Sequence, residues 1–147
     1  MKPAARWLFL FGFVSLFVAC RRGPKEVLLP PVPAGAFQYA GYDSTGVVIV
    51  QGWLSLSFED STAITGKWQL QKVGEATHIG PQTGTGTLAG SIRLGKIFLN
   101  LNPQIVDNNV AITGDFAKNR FSGKWQYIGF AGLLNWGPFT AEKRTGD

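Results

Sequence analysis

The residue types that most often supply nucleophiles, bases and metal ligands are scarce in this chain. Cysteine and histidine occur once each, as Cys20 and His78. A nucleophilic pair needs the attacking atom and its base within hydrogen-bond reach, and these two residues have dissimilar settings. Cys20 stands where an apolar run meets Arg21 and Arg22. His78 lies in VGEATHIGPQTGTG, a Gly/Thr-rich stretch that reads as a solvated loop. A zinc site takes several His or Cys ligands, more than this chain has. The one adjacent carboxylate pair, Glu59-Asp60, falls in a turn, where acids bond the local backbone. Asp107 with Asn108 and Asn109 reads the same way, and one short acidic turn falls short of the oxygen count of a calcium site. Gly84 and Gly86 in TGTGTLAG lack the Lys-Ser/Thr and the helix of a phosphate loop. No catalytic residue, cofactor or metal is expected, and an enzyme is the least supported class.

The cysteine is better explained by its surroundings. The chain opens MKPAAR, with Lys2 and Arg6, and continues as the uncharged run WLFLFGFVSLFV, Trp7 to Val18. A positive start, a short apolar stretch and a small residue, Ala19, describe a secretory signal. The run is too short for a spanning helix, which wants about 20 apolar residues. A disulfide needs a second cysteine. LFVAC, Leu16 to Cys20, resembles the bacterial lipobox, with Leu16 and Phe17 where that family usually shows one leucine. The resemblance implies cleavage before Cys20 and a lipid on its thiol, anchoring the protein in a bacterial envelope. Arg21 stands where aspartate would favour inner-membrane retention. The implied location is therefore the outer membrane if the source is diderm.

On this reading residues 1–19 are a signal peptide and residues 20–35 a linker. Pro24, Pro30, Pro31 and Pro33 favour an extended, semi-rigid tether. Residues 36–147 form the domain. Its cations are scattered among acids despite a formal net charge of +5. With no basic stripe, nucleic acid is not an expected partner.

The domain reads as all-β. In VIVQGWLSLSF, Val48, Val50, Leu54, Leu56 and Phe58 share one parity. So do Ile64, Trp68 and Leu70 in AITGKWQLQK, and Ile97, Leu99 and Leu101 in KIFLNLN. NVAITGDF and RFSGKWQY repeat the pattern, and FQYAGYD, TGTGTLAGSIRL and GPFTAEK complete about eight strands. One apolar and one wet face per strand is an antiparallel signature. The connections FEDST, NPQIVDNN and FAKNRF suit hairpins. A small antiparallel meander barrel is predicted, with a β-sandwich as the alternative. Asp115 and Lys124 are expected to pair across strands.

AITGKWQ (63–69) is echoed by AITGDF (111–116) and SGKWQ (122–126). Gly66, Gly114 and Gly123 fall on the buried parity, where a missing side chain admits strand coiling or a neighbouring indole. Gly66-Lys67-Trp68 and Gly123-Lys124-Trp125 are similar to the G-x-W of the lipocalin and avidin families. That resemblance implies an up-and-down barrel and a small ligand, although those families carry the motif on their first strand.

Two functions follow. In one, the barrel is filled, and its outer surface docks an envelope protein or cell-wall polymer. In the other, it is a lipocalin-like carrier or sensor for a small hydrophobic ligand, with Trp68, Trp125, Tyr127, Phe98 and Tyr39 lining the cavity. The bulk of the inward aromatics favours the first. Phe130, Leu133, Leu134 and Trp136 form an apolar loop before the last strand. That loop is expected to plug one barrel end, with an exposed docking patch as the alternative.

Overall fold

The structure is a computed structural model that describes residues 34–144. Cys20, the leader and the stretch up to Pro33 lie outside the described residues. Eight antiparallel strands follow in order: β1 (Gly35–Tyr42), β2 (Val48–Phe58), β3 (Ala63–Lys72), β4 (Gly84–Arg93), β5 (Lys96–Asn100), β6 (Asn108–Ala117), β7 (Arg120–Gly129) and β8 (Gly132–Lys143). Each pairs with its neighbour in sequence, and β8 pairs back onto β1, from Phe37↔Lys143 to Gly41↔Phe139. The sheet is thus a closed meander barrel. Closure hides the apolar face and leaves no unpaired strand edge.

Strand alternation decides what lies inside. Phe37, Tyr39, Leu54, Leu56, Ile64, Leu88, Ile97, Ile112, Phe121, Trp125 and Phe139 are all buried. Burying a side chain of this size contributes roughly 1.5–3 kcal/mol. Four rings form a continuous cluster across β1, β7 and β8. Phe37 meets Phe121 edge-on at 5.0 Å, Phe121 meets Phe139 at 5.7 Å, and Phe139 stacks on Tyr39 at 5.8 Å.

The inward glycines let the wall bend tightly enough to enclose this cluster. A Cβ at Gly66 would collide with the Ser55 carbonyl, and one at Gly123 with the Thr113 carbonyl. Gly86 leaves the space taken by the Trp68 ring. Glycine therefore does both expected jobs: it allows close strand approach, and it makes room for an indole.

Because the strands run up and down, the connections fall at two ends. The Gly35 end holds the β2–β3, β4–β5 and β6–β7 turns and the last residues of β8. The far end holds the β1–β2 and β7–β8 turns and the two longer loops, β3–β4 and β5–β6.

Three expectations are corrected. The far end is closed by the β3–β4 loop, not by the Phe130 segment. Ile79 is buried in that loop, and Gln82 is fully buried. The segment from Gly132 belongs to β8, and only Phe130 and Ala131 separate β7 from it. Finally, Asp115 pairs with Lys96 at 2.8 Å rather than with Lys124. Lys96 is its direct cross-strand partner, while Lys124 stands opposite Thr113.

Candidate functional site

Inside the barrel, the polar groups of Trp68, Trp125, Tyr39 and Gln82 are already partnered. The Trp68 Nε1–H donates to the Leu101 carbonyl at 2.7 Å, and the Trp125 Nε1–H donates to the Tyr42 carbonyl at 2.8 Å. Tyr39 donates its hydroxyl to Gln82 Oε1 at 3.2 Å, and Gln82 Nε2 donates to the Ile79 carbonyl at 2.7 Å. Burial raises the Tyr39 pKa, so its phenol stays protonated and remains a donor. Tyr127 is half-buried, and its ring lies against Gly80, where a Cβ would not fit. The Asn135 Nδ2 donates to the His78 carbonyl at 3.1 Å. These contacts hold the β3–β4 loop across the barrel mouth. His78 itself is exposed, at a positive φ of 53°.

Of the aromatics expected to line a cavity, Tyr39, Trp68 and Trp125 are core residues and Tyr127 supports the closing loop. Phe98 does not face inward. It is 39% exposed, on the same parity of β5 as Lys96 and Asn100.

The far end carries the main apolar exposure. Phe130 is 93% exposed, and Leu133 and Leu134 are each about half exposed. Asn108 pairs with Gly129, so the loop bearing exposed Ile105 and Val106 runs beside the β7–β8 turn. Leu134 belongs to a bulge: Tyr127 pairs with Asn135 while Ile128 pairs with Leu133. Its side chain lies over Gly129. Extra residues of this kind re-aim neighbouring side chains.

Two clefts are cut into the outer wall, each with one tryptophan. The larger, about 500 Å³, is lined by Lys96, Asp115, Lys124, Gln126, Trp136 and Pro138. Trp136 is 44% exposed, and the Lys124 ammonium lies 4.4 Å from its ring centroid. The smaller, about 280 Å³, is lined by Gln51, Trp53, Gln69, Gln71 and Thr85 over Gly52 and Leu70. The registers explain it. Trp53, Gln69 and Thr85 lie directly across from one another on β2, β3 and β4, and Gln51 faces Gln71 in the neighbouring row. Trp53 Nε1–H donates to Gln69 Oε1 at 3.2 Å. Gly52 beneath them has a φ of 153°, and a Cβ there would collide with the Gln69 carbonyl.

The sequence reading does not single out Trp53. The available signal was its parity, which it shares with Ser55 and Ser57. Among the described residues no group of three or more His, Cys, Asp or Glu gathers as a metal site would require. No protein-family model and no curated protein sequence matches the chain.

Proposed function

We propose that the chain is a lipid-anchored protein of a bacterial envelope whose barrel is a non-enzymatic interaction module, working through its outer surface. One observation carries the second half of this reading. The inside is taken up by Trp125, Tyr39, Phe37, Phe121 and Phe139, each at most 1% exposed, and the far mouth is closed by Ile79 and Gln82. An eight-stranded barrel is just wide enough to be filled by side chains or to hold one small ligand. The first case fits these residues better than a lipocalin-like carrier or sensor does.

The anchor rests on LFVAC and the arginines behind it. The chain joins the barrel at Gly35, and that same end carries Arg93, Lys118, Lys143 and Arg144 alongside the acids Glu59, Asp60 and Glu142. The cations of this mixed rim can still meet anionic headgroups, at roughly 1 kcal/mol per cation near the surface. The apolar far end would then point away from the bilayer towards a protein or cell-wall partner. Exposed apolar surface of this kind marks contact sites.

Two measurements test the two halves. Metabolic labelling with an alkyne fatty acid should mark the protein, and Cys20→Ser should remove the label and release the protein from membranes. Retained labelling in that variant would overturn the anchor. In a Trp53→Phe/Trp136→Phe variant of the processed protein, emission comes from Trp68 and Trp125. Small apolar compounds should leave it unmoved, whereas a saturable shift would favour the carrier.

A further inference from the structure

The two outer clefts differ in charge, and the difference points to a ligand class for one of them. In the larger cleft the Lys96–Asp115 ion pair and Lys124 surround Trp136, and the ammonium of Lys124 occupies a face of the indole. In the smaller cleft no lining residue is charged. Trp53 forms its aromatic wall, Gln51, Gln69 and Gln71 supply three amides, and Thr85 supplies a hydroxyl. Each amide offers two donors and a carbonyl acceptor.

We propose that the Trp53 cleft binds an uncharged saccharide chain. A pyranose ring has apolar C–H faces and an equator of hydroxyls that both donate and accept. An indole face carries negative electrostatic potential and attracts polarised C–H groups. Amides suit hydroxyls because either partner can donate. A charged ligand would find no counter-charge here, and a purely apolar one would leave the glutamines without partners on desolvation.

Size agrees with chemistry. About 280 Å³ lies just below the roughly 300–1,000 Å³ usual for small-molecule pockets. That suits individual sugar rings along a chain rather than a large cofactor. The cleft is also built into the strands, not borne by a loop. The Trp53–Gln69–Thr85 row is fixed by backbone pairing on three strands, and the dent beneath it depends on Gly52. The inference rests on the reading that the outer surface is the working part, and it supplies that surface with a substrate class.

The test is calorimetric titration of the processed full chain, held in a detergent without a sugar headgroup. Chitotetraose, cellotetraose and maltotetraose are the neutral probes, and an oligogalacturonate is the anionic control. At least one neutral probe should bind, and the anionic control should not. Trp53→Ala and Gln69→Ala should each weaken binding roughly tenfold, in line with the loss of one aromatic or amide contact. Phe98→Ala, on the outer wall away from the cleft, should leave it unchanged. Chitotetraose alone binding would indicate an amino-sugar wall polymer, and a glucan binding would indicate a hexose polysaccharide.

Absence of neutral binding up to about 10 mM, a range weaker than any useful affinity, would overturn the proposal. So would binding that survives Trp53→Ala. Should Trp53→Ala fail to fold by circular dichroism, Gln51→Ala and Gln71→Ala carry the same comparison, since both side chains are exposed. A saccharide panel that fails leaves the outer-surface reading standing on the far-end apolar residues. An apolar molecule bound inside the barrel would break that reading itself.

Discussion

The inner and outer tryptophans of the barrel follow different rules. Trp68 and Trp125 each stand two residues after a glycine of their own strand and donate to a backbone carbonyl. Their partners are fixed by the fold, and the Trp68 ring fills the space left by Gly86. Trp53 donates to a glutamine side chain, and Trp136 lies beneath a lysine. Those partners are side chains on the outer wall rather than backbone groups of the fold. The same residue type is a packing element where its neighbours are backbone and glycine, and a contact element where its neighbours are polar side chains in solvent.

This comparison predicts a ranked set of effects. Trp125→Ala should produce the largest loss of stability, about 3–5 kcal/mol in a urea unfolding experiment, because it empties a fully buried site. In the same assay Trp53→Ala should cost less than about 1 kcal/mol, as wall substitutions away from the core do. Equal losses would erase the distinction. Next comes Gly123→Ala, at about 1–3 kcal/mol or more, since its methyl group meets the Thr113 carbonyl. Tyr39→Phe should follow, at about 1–3 kcal/mol, because the buried Gln82 Oε1 loses its donor. A smaller value would mean that Gln82 finds another partner and that the closing loop is looser than its contacts suggest.

The smallest effect concerns the turns. Asp43 accepts hydrogen bonds from Thr45 and Val47, and Asp60 from Thr62 and Ala63; these bonds lower both pKa values. A carboxylate with a depressed folded-state pKa stabilises the fold above its unfolded value. That contribution is lost as pH falls through the lower, folded one. The melting temperature should therefore drop on acidification below about pH 4, the ordinary aspartate range. The drop should be shallower in Asp43→Asn/Asp60→Asn, and an unchanged acid limb would show that the turns contribute nothing.

Much of the wall was legible because a strand has a two-residue period. The limits of β2 and β3 match the alternating runs 48–58 and 63–72 residue for residue. Gly66, Gly114 and Gly123 share the parity of the buried residues, as expected, although Gly123 itself is exposed at the floor of the larger outer cleft. Parity assigns a face but not a register. That is why Asp115 was matched with Lys124, two positions along β7 from its true neighbour Ser122. It also shows where Phe98 was misjudged: Lys96 and Asn100 already marked its parity as outward.

The closing loop had no period to read. Ile79 and Gln82 are embedded in THIGPQTG, and only the lone isoleucine beside Gly80-Pro81 hinted at burial. The stretch 130–139 read as a loop because glycines and a proline interrupt it, and the bulge at Leu134 broke its alternation. The Trp53 cleft depends on residues from three strands, a juxtaposition that exists only once the registers are known.

The central claim is that this barrel is filled and works from its outside. Native mass spectrometry tests it most directly, on the processed protein isolated from the envelope of its own host and released from detergent in the gas phase. The account predicts the mass of the chain and its lipid anchor, with no further mass retained. A stoichiometric additional apolar mass, lost only on activation and abolished by filling substitutions inside the barrel, would contradict it and make the interior the functional site.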